Sequence, residues 1–482
     1  MPSEVLDGES MKTVVMKFGG ASVATGPGIR RVASLIQHYA SQEYRVVAVV
    51  SALEKVTDRL SEAADQSRFG NKDHVKTFRR EVLDRHVAAA AGAIEDERIL
   101  DEVKQILISI VDELENVLTG IIYLGELTPR SRDYVLSFGE RLSAPILCKT
   151  LQDIGVQTRY FTGGEAGIVT DESFGDASPL MKVTEHEVRE RLSPLLERGF
   201  VPVVAGYIAE TQHGVMITLG RGGSDFTATI IGAALGADEV WIWKEVEGLM
   251  TADPKIVPSA KMLREISYEE AMEMAVFGTK AIHPRALEPA LEDGIPVRIR
   301  SISDPGGMGT LITKEKRIKD GGAVKAVTLI KDVALISISG AGMVGTPGIA
   351  AKVFDVLGRN NVNILMISQS VSEANISFII SRSLSDKAVN ALEIAFLGGG
   401  PIEAVAAEDD ICVVAAVGAG MKGTPGIASK VFTAVAQEGI NVRMIAQGSS
   451  ELNISFVVKE ADGEKAVQAV HAAFGLNEPH AT

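Results

Sequence analysis

Lys12-Thr13-Val14-Val15-Met16-Lys17-Phe18-Gly19-Gly20-Ala21-Ser22 leads into a helical segment that ends near Tyr39, and then into Arg45-Val46-Val47-Ala48-Val49-Val50. Each apolar, β-branched run is too short for a helix, and each is separated from the next by an amphipathic stretch. Strand, helix and strand in that order predict a layered α/β fold with a mainly parallel sheet. The alternation continues to about Thr310. It places further strands at Val201 to Ala205, Val215 to Leu219, Glu239 to Trp243 and Pro296 to Arg300, with a helix after Gly222-Gly223-Ser224-Asp225. Between about Thr57 and Leu147 the composition turns to Ala, Glu, Leu, Arg and Val, which predicts a helical excursion. Sites in such folds lie in the loops at strand ends.

The C-terminal third repeats itself. Gly340-Ala341-Gly342-Met343-Val344-Gly345-Thr346-Pro347-Gly348-Ile349-Ala350 returns 78 residues later as Gly418-Ala419-Gly420-Met421-Lys422-Gly423-Thr424-Pro425-Gly426-Ile427-Ala428. From Gly340 to Ile380 the register holds without a gap, and 23 of 41 aligned positions are identical. That is duplication of one small domain. Each copy reads strand, Gly-rich turn, helix, two strands and helix, the order of a βαββαβ ferredoxin-like unit. The expected divisions are a catalytic domain over 11–310 and repeats over 325–402 and 403–478.

With 482 residues, 46% hydrophobic and 23% charged, the chain has material for two or three packed domains and is neither fibrous nor largely disordered. Its 48 basic and 63 acidic side chains leave a formal charge of −15, which opposes nucleic acids and anionic membranes as partners. Two cysteines, Cys148 and Cys412, make neither a disulfide framework nor a thiolate metal site. No run approaches the roughly 20 apolar residues of a membrane span, and the acidic first ten residues do not resemble a signal peptide. A cytoplasmic location is the expectation.

Four stretches carry candidate chemistry. In Lys17-Phe18-Gly19-Gly20, adjacent glycines after a strand let backbone N–H groups approach phosphate oxygens, and the lysine supplies a mobile charge. The spacing is not that of a Walker loop, and taken alone the motif could equally be an ordinary turn. In Gly220-Arg221-Gly222-Gly223-Ser224-Asp225, helix capping accounts for Ser224 or Asp225 but leaves an arginine between glycines, suited to gripping a carboxylate. Ser137-Phe138-Gly139-Glu140 offers a carboxylate for an ammonium group, although an isolated glutamate is more often solvated. The run Trp243-Lys244-Glu245 to Lys255, with Phe277-Gly278-Thr279-Lys280, offers lysines for a polyphosphate. His283, beside Pro284, has no second histidine or cysteine at metal spacing, and it reads as a packing residue.

Taken together and in order, Lys17-Phe18-Gly19-Gly20, Ser51-Ala52, Phe138-Gly139-Glu140, Gly220 to Asp225, Ala252-Asp253-Pro254 and His283-Pro284 resemble the aspartate kinase family over nearly the whole chain. The resemblance implies an amino-acid-kinase, carbamate-kinase-like layered α/β domain followed by two ferredoxin-like ACT domains. It implies transfer of phosphate from ATP, with Mg²⁺, to the side-chain carboxylate of L-aspartate. Carried over by motif, Lys17, Gly19 and Gly20 would contact the transferring phosphoryl group, and Asp225 would hold Lys17. Arg221 would pair with the α-carboxylate and Glu140 with the α-ammonium of aspartate, completed by Ser51, Thr57 and Ser224. Lys244, Glu245, Met250, Lys255 and Lys280 fall on the nucleotide side. The sequence departs from the family pattern there, with Lys244-Glu245 for a frequent Thr-Asp, Met250 for Tyr, Lys255 for Arg, and Ala21 for Thr.

For the repeats the resemblance implies amino-acid effector sites at Gly345, Thr346, Pro347, Gly348 and Gln369, and at Gly423 and Gln447. Met366-Ile367-Ser368-Gln369 and Met444-Ile445-Ala446-Gln447 resemble threonine-sensitive members, which puts threonine ahead of lysine. About 24 residues follow Val458, so a monofunctional kinase is expected. Pairing through the ACT domains implies a homodimer or homotetramer. The competing expectations are another amino-acid kinase, acting on glutamate, N-acetylglutamate or uridylate, and a catalytically weak amino-acid sensor.

Overall fold

The computed structural model describes residues 11–42, 44–276, 282–314, 322–396 and 400–477. The chain divides into two compact units, the first holding Met1–Leu249, Arg264–Tyr268 and Ala281–Glu315, the second the remainder.

In the first unit, β1 (Thr13–Phe18), α1 (Gly26–Ala40), β2 (Arg45–Val50), α2 (Val56–Arg68), α3 (Lys72–Ala91), α4 (Glu97–Leu124) and α5 (Pro129–Asp153) run consecutively. They are followed by β3 (Thr158–Phe161), β4 (Val169–Thr170), α6 (Met181–Glu197), β5 (Val201–Ala205), β6 (Ile208–Thr211), β7 (Met216–Thr218), α7 (Gly223–Leu235) and β8 (Glu239–Lys244). Then come β9 (Glu265–Ser267), α8 (Tyr268–Val276), which begins at the unit boundary, α9 (Glu288–Asp293), β10 (Val297–Ser301) and β11 (Thr310–Thr313). The main sheet has the order β3-β5-β2-β1-β8-β10-β11-β9. It is parallel from β3 to β10, and β11 pairs antiparallel with β10. β1 and β2 are buried at every position after the first, as expected of central parallel strands covered on both faces.

The helical excursion is α2 to α5. In α4, Asp96 caps the N-terminus by accepting from the Arg98 and Ile99 N–H groups, and Gly125 in the left-handed region ends the helix. Val103, Leu107, Val111, Leu114, Leu118 and Ile121, spaced by three and four, form its buried stripe. α5 starts at a Thr128 cap followed by Pro129 and is buried along most of its length. This burial makes it a rigid platform, and Glu140 projects from it.

The second unit contains β12 (Ala326–Ser339), α10 (Ile349–Arg359), β13 (Ile364–Gln369), β14 (Asn375–Ser381) and α11 (Ser385–Phe396). The pattern then repeats as β15 (Ala404–Val417), α12 (Ile427–Gln437), β16 (Met444–Ala446), β17 (Asn453–Lys459) and α13 (Gly463–Ala473). All six strands join one antiparallel sheet, β13-β14-β12-β15-β17-β16. The repeats exchange strands within it. β12 and β15 are each 14 residues long, and a register shift after Ile330, with Asp332 at φ 60°, divides β12 into two halves. Val333 to Ser339 belong with β14, whereas Ala326 to Ile330 pair with Val417 to Val413. Val327 accordingly packs in the core of the second repeat with Val414, Phe456 and Val470, while Ile336 and Ile338 pack in that of the first. Residues 326–330 thus complete the sheet of the repeat that follows the one they precede.

Met250–Leu263 and residues 269–276 also group with this unit, although they fall inside the span expected to be catalytic. Thr251 Oγ1 lies 2.9 Å from His471 Nε2, and Ala252 and Val257 join the second repeat's core. Glu270 bonds to Lys325 Nζ at 3.0 Å and accepts from the Ala419 N–H at 2.7 Å.

Candidate active site

β1, β2 and β8 end side by side at one end of the main sheet, and β7, a strand of a separate three-stranded sheet β4-β6-β7, leads into α7. Lys17, next to last in β1, is 5% exposed, and its Nζ lies 2.6 Å from Asp225 Oδ1. Lys244, the last residue of β8, places its Nζ 3.0 Å from the other oxygen, Oδ2. Burial alone would raise the Asp225 carboxyl, but the two ammonium groups outweigh it and hold it below the usual carboxylate range. Burial lowers Lys17, opposed by Asp225 and reinforced by Lys244. Two cations on one carboxylate leave a net positive charge inside the protein, a setting suited to phosphoryl oxygens.

After β1 the chain turns at Gly19 and Gly20 against the loop that follows β2. A Cβ on Gly20 would come within 2.7 Å of the Ala52 carbonyl oxygen, so only glycine lets these two loops touch. Their contact is sealed by the Glu54 N–H donating to the Gly20 carbonyl at 3.1 Å. Ser22 donates to Glu245 at 3.1 Å, which ties the same turn to the residue following β8.

A cavity of about 650 Å³ opens beside this cluster. Its walls include Gly20, Ser51, Thr57, Glu140, Arg221 and Ser224, so it gathers all the residues expected at a substrate site. Glu140 is 3% exposed, and its Oε2 has no hydrogen-bond partner among the described residues. Burial pushes its carboxyl up to about 8 even though the Ala52 N–H and Lys17 pull it down. A buried carboxylate oxygen without a donor is costly unless a ligand supplies one. Arg221 stands exposed between Gly220 and Gly222, both in the left-handed region, and this turn swings its side chain out over the cavity.

Lys17, Lys244 and Glu245 belong to the first unit, with the cavity, whereas Met250 and Lys255 belong to the second. Lys280 lies outside the described residues. His283 packs against the Gly222 turn, where a Cβ on Gly222 would fall 2.4 Å from its own Cβ.

Several lining residues carried no signal in the sequence. Tyr207 takes φ 68° because both its backbone groups are used, its N–H by Thr227 Oγ1 at 3.0 Å and its carbonyl by the Leu219 N–H at 2.8 Å. Lys55, at φ 63°, starts α2 at the cavity rim. Asp133, two turns before Glu140 on α5, is buried beneath the cavity wall.

In the second unit, a cavity of about 300 Å³ is lined by Gly345, Thr346, Pro347, Gly348 and Gln369, together with Glu373. The Glu373 carboxylate accepts from the Gly345 N–H at 2.9 Å, and Glu451 accepts from the Gly423 N–H at 2.6 Å. Thr346 and Thr424 each donate back to a glycine carbonyl four residues earlier at 2.8 Å. Glu373 and Glu451 are identical at the repeat offset, a signal that could have marked them in the sequence.

Residues 12–301 match the Amino acid kinase family, and residues 336–396 and 414–474 each match the ACT domain. Aspartokinase 1, chloroplastic, of Arabidopsis thaliana is 33% identical over 96% of this chain and 80% of its own length. A bifunctional aspartokinase/homoserine dehydrogenase 2, chloroplastic, of Zea mays is also 33% identical, and the chain spans about half the length of such bifunctional relatives, 50% in this case. Among solved structures, E. coli aspartokinase III in complex with aspartate and ADP superposes with a TM-score of 0.79 at 29% identity, covering 96% of this chain and all of that one. The same E. coli enzyme in complex with lysine and aspartate gives 0.78 at 28% identity, over 96% and 99% of the two chains. The chain belongs to the amino acid kinase family, among its aspartokinases with paired ACT domains. Among the described residues no helix is long and apolar enough to cross a membrane.

Proposed function

We propose that this chain phosphorylates the side-chain carboxylate of L-aspartate with ATP, giving 4-phospho-L-aspartate, the entry step to lysine, threonine, methionine and isoleucine. The observation that carries this reading is Glu140, a buried carboxylate with an unpartnered oxygen in the same cavity as Arg221. An α-amino acid offers an ammonium group to the first and a carboxylate to the second. Its side chain is then free to meet the cations gathered on Asp225.

In the reaction, a side-chain carboxylate oxygen of aspartate attacks the γ-phosphorus. The new O–P bond forms an acyl phosphate as the bond to the ADP oxygen breaks, and no proton need move. Lys17 and Lys244 neutralise charge on the transferring group, and Asp225 keeps both ammonium groups aimed at it. Gly19 and Gly20 bring the backbone close. Positioning and charge stabilisation supply the catalysis.

The E. coli complex with ADP supports ATP as the donor. Mg²⁺ would enter with the nucleotide and supply neutralisation of phosphate charge. Glu245, Met250, Lys255 and Lys280 are assigned to the nucleotide side by motif.

The cavity at Gly345 to Gly348 with Gln369, and its counterpart at Gly423 with Gln447, are read as effector sites for an amino acid, threonine ahead of lysine. The chain is read as a cytoplasmic homodimer or homotetramer joined through its ACT domains. The test is ADP release from MgATP with L-aspartate, glutamate, N-acetylglutamate or UMP, with hydroxylamine trapping the acyl phosphate. Aspartate-dependent hydroxamate supports the reading, and turnover with another acceptor alone overturns it.

A further inference from the structure

The candidate site uses Glu140 of α5 and leaves Asp133, seven residues earlier on the same helix, without a role. Asp133 is 1% exposed. Its Oδ2 accepts from the Gly175 N–H at 2.8 Å and the Thr218 N–H at 3.0 Å, and its Oδ1 accepts from the Thr218 hydroxyl at 2.9 Å. A buried carboxylate is expensive, and core packing alone gives no reason to place one here. What it accomplishes is to hydrogen-bond two segments, the end of β7 and the turn at Gly175, to α5 through one carboxylate.

Those segments are two walls of the cavity. Thr218 ends β7 and passes through Leu219 and Gly220 to Arg221, while Gly175 lies in the turn 171–178 and itself lines the cavity. They touch closely, since a Cβ on Gly220 would fall 2.4 Å from Asp176 Oδ1, and the Ala177 N–H donates to the Thr218 carbonyl at 3.1 Å. Arg285 clamps the far side. Its guanidinium donates to the Ala177 carbonyl at 2.7 Å and Ser178 Oγ at 2.9 Å, pairs with Asp176, and sits 5.0 Å from the Phe226 ring centre. Asp133 thus anchors this assembly to the helix that carries Glu140.

We propose that Asp133 is a positioning residue for substrate recognition. Acting through Thr218 and Gly175, it sets the Arg221 turn at a defined distance from Glu140, so that the ammonium and α-carboxylate of one amino acid are gripped together. This rests on the reading of the cavity as the L-aspartate site. Two α5 residues separated by two turns keep a fixed spacing, so the helix acts as the ruler between the two halves of the site.

The test uses the full-length chain carrying Asp133→Asn, Thr218→Val, Arg221→Ala, and Asp133→Asn combined with Arg221→Ala. Hydrogen exchange of residues 171–178 and 216–222 should quicken together in Asp133→Asn and Thr218→Val while exchange in α4 stays unchanged. KM for aspartate should rise about tenfold in Asp133→Asn and a few-fold in Thr218→Val, with kcat within about threefold of the parent. In the Arg221→Ala background, Asp133→Asn should add nothing further to KM. Unchanged exchange in the two segments, multiplicative KM effects, or a fall in kcat at constant KM each overturn the inference. Should Asp133→Asn not fold, the Thr218→Val exchange and KM decide it. A parent-like KM for aspartate in Arg221→Ala, with the exchange changes present, overturns the substrate reading and this role with it.

Discussion

At the scale of single residues, the site is governed by where charge is buried and what it lacks. Glu140 is the clearest case, because its carboxyl is pushed up to about 8 by burial and its Oε2 has no partner among the described residues. Binding an ammonium group requires the ionised form, so kcat/KM for aspartate should climb as pH rises from about 6.5, reach half its plateau near about 8 and level only about one unit above that. A pH profile checks this, and a flat profile over that interval sinks it. Glu140→Gln should abolish the pH dependence and raise KM for aspartate about 10- to 100-fold, the worth of a charge-assisted hydrogen bond. The sign for stability is opposite. A carboxyl raised in the folded state favours folding below its unfolded value, near 4.5, and loses that contribution as pH rises through about 8. Glu140→Gln should therefore melt higher than the parent at pH 8, by about 2–4 °C for each kcal/mol recovered. Calorimetry of the two proteins reads it directly. Lys17→Ala and Asp225→Ala, by contrast, should lower kcat by a factor on the order of 10² with little change in KM for aspartate, as for loss of charge stabilisation in the transition state. Steady-state kinetics separate the two groups of variants.

At the scale of elements, α5 and the exchanged strands do most to shape the molecule. α5 was legible as part of a helical excursion, and Glu140 was legible through Phe138-Gly139-Glu140. Asp133 was not, because a carboxylate two turns away looks like any other helix residue until Thr218 and Gly175, 85 and 42 positions later, fold onto it. The strand exchange was hidden for the same reason. Residues 326–330 read as the start of the first repeat, and only pairing with Val413 to Val417 assigns them to the second. Val327, fully buried in the second repeat's core, provides the test. Val327→Asp should cost about 3 kcal/mol or more by burying an unpaired charge. Hydrogen exchange should accelerate in Cys412 to Val417 and in β17, while β13 and β14 of the first repeat remain protected. Acceleration in β13 and β14 instead would show that the repeats keep their own strands.

At the scale of the whole molecule, the chain combines a unit of the amino acid kinase family with a sheet formed by two fused ACT repeats, and the proposed regulation needs both. Inhibition by an amino acid requires higher affinity for one conformational state than for another. Threonine should inhibit turnover at lower concentration than lysine, and Gln369→Ala with Gln447→Ala should shift the inhibition curve at least several-fold while leaving uninhibited kcat unchanged. Dose–response curves for both amino acids check this, and an unmoved curve in the double variant removes the assignment of the effector contacts.

What the sequence determined by itself was the class of fold, the duplication and the residues Ser51, Thr57, Glu140, Arg221 and Ser224 that the cavity gathers. Strand periodicity, a 78-residue echo and motifs such as Gly220 to Asp225 are local, and local patterns survive in one dimension. Lys17, Asp225, Glu140 and Arg221 were named from motifs, but that Asp225 holds Lys244 as well as Lys17 follows only from β1 and β8 lying side by side. Tertiary structure alone decided that Glu140 is buried with an oxygen unmet, that Asp133 ties two walls together, and that each long strand serves both repeats. These are statements about distance and desolvation, and both depend on which distant segments exclude water from one another.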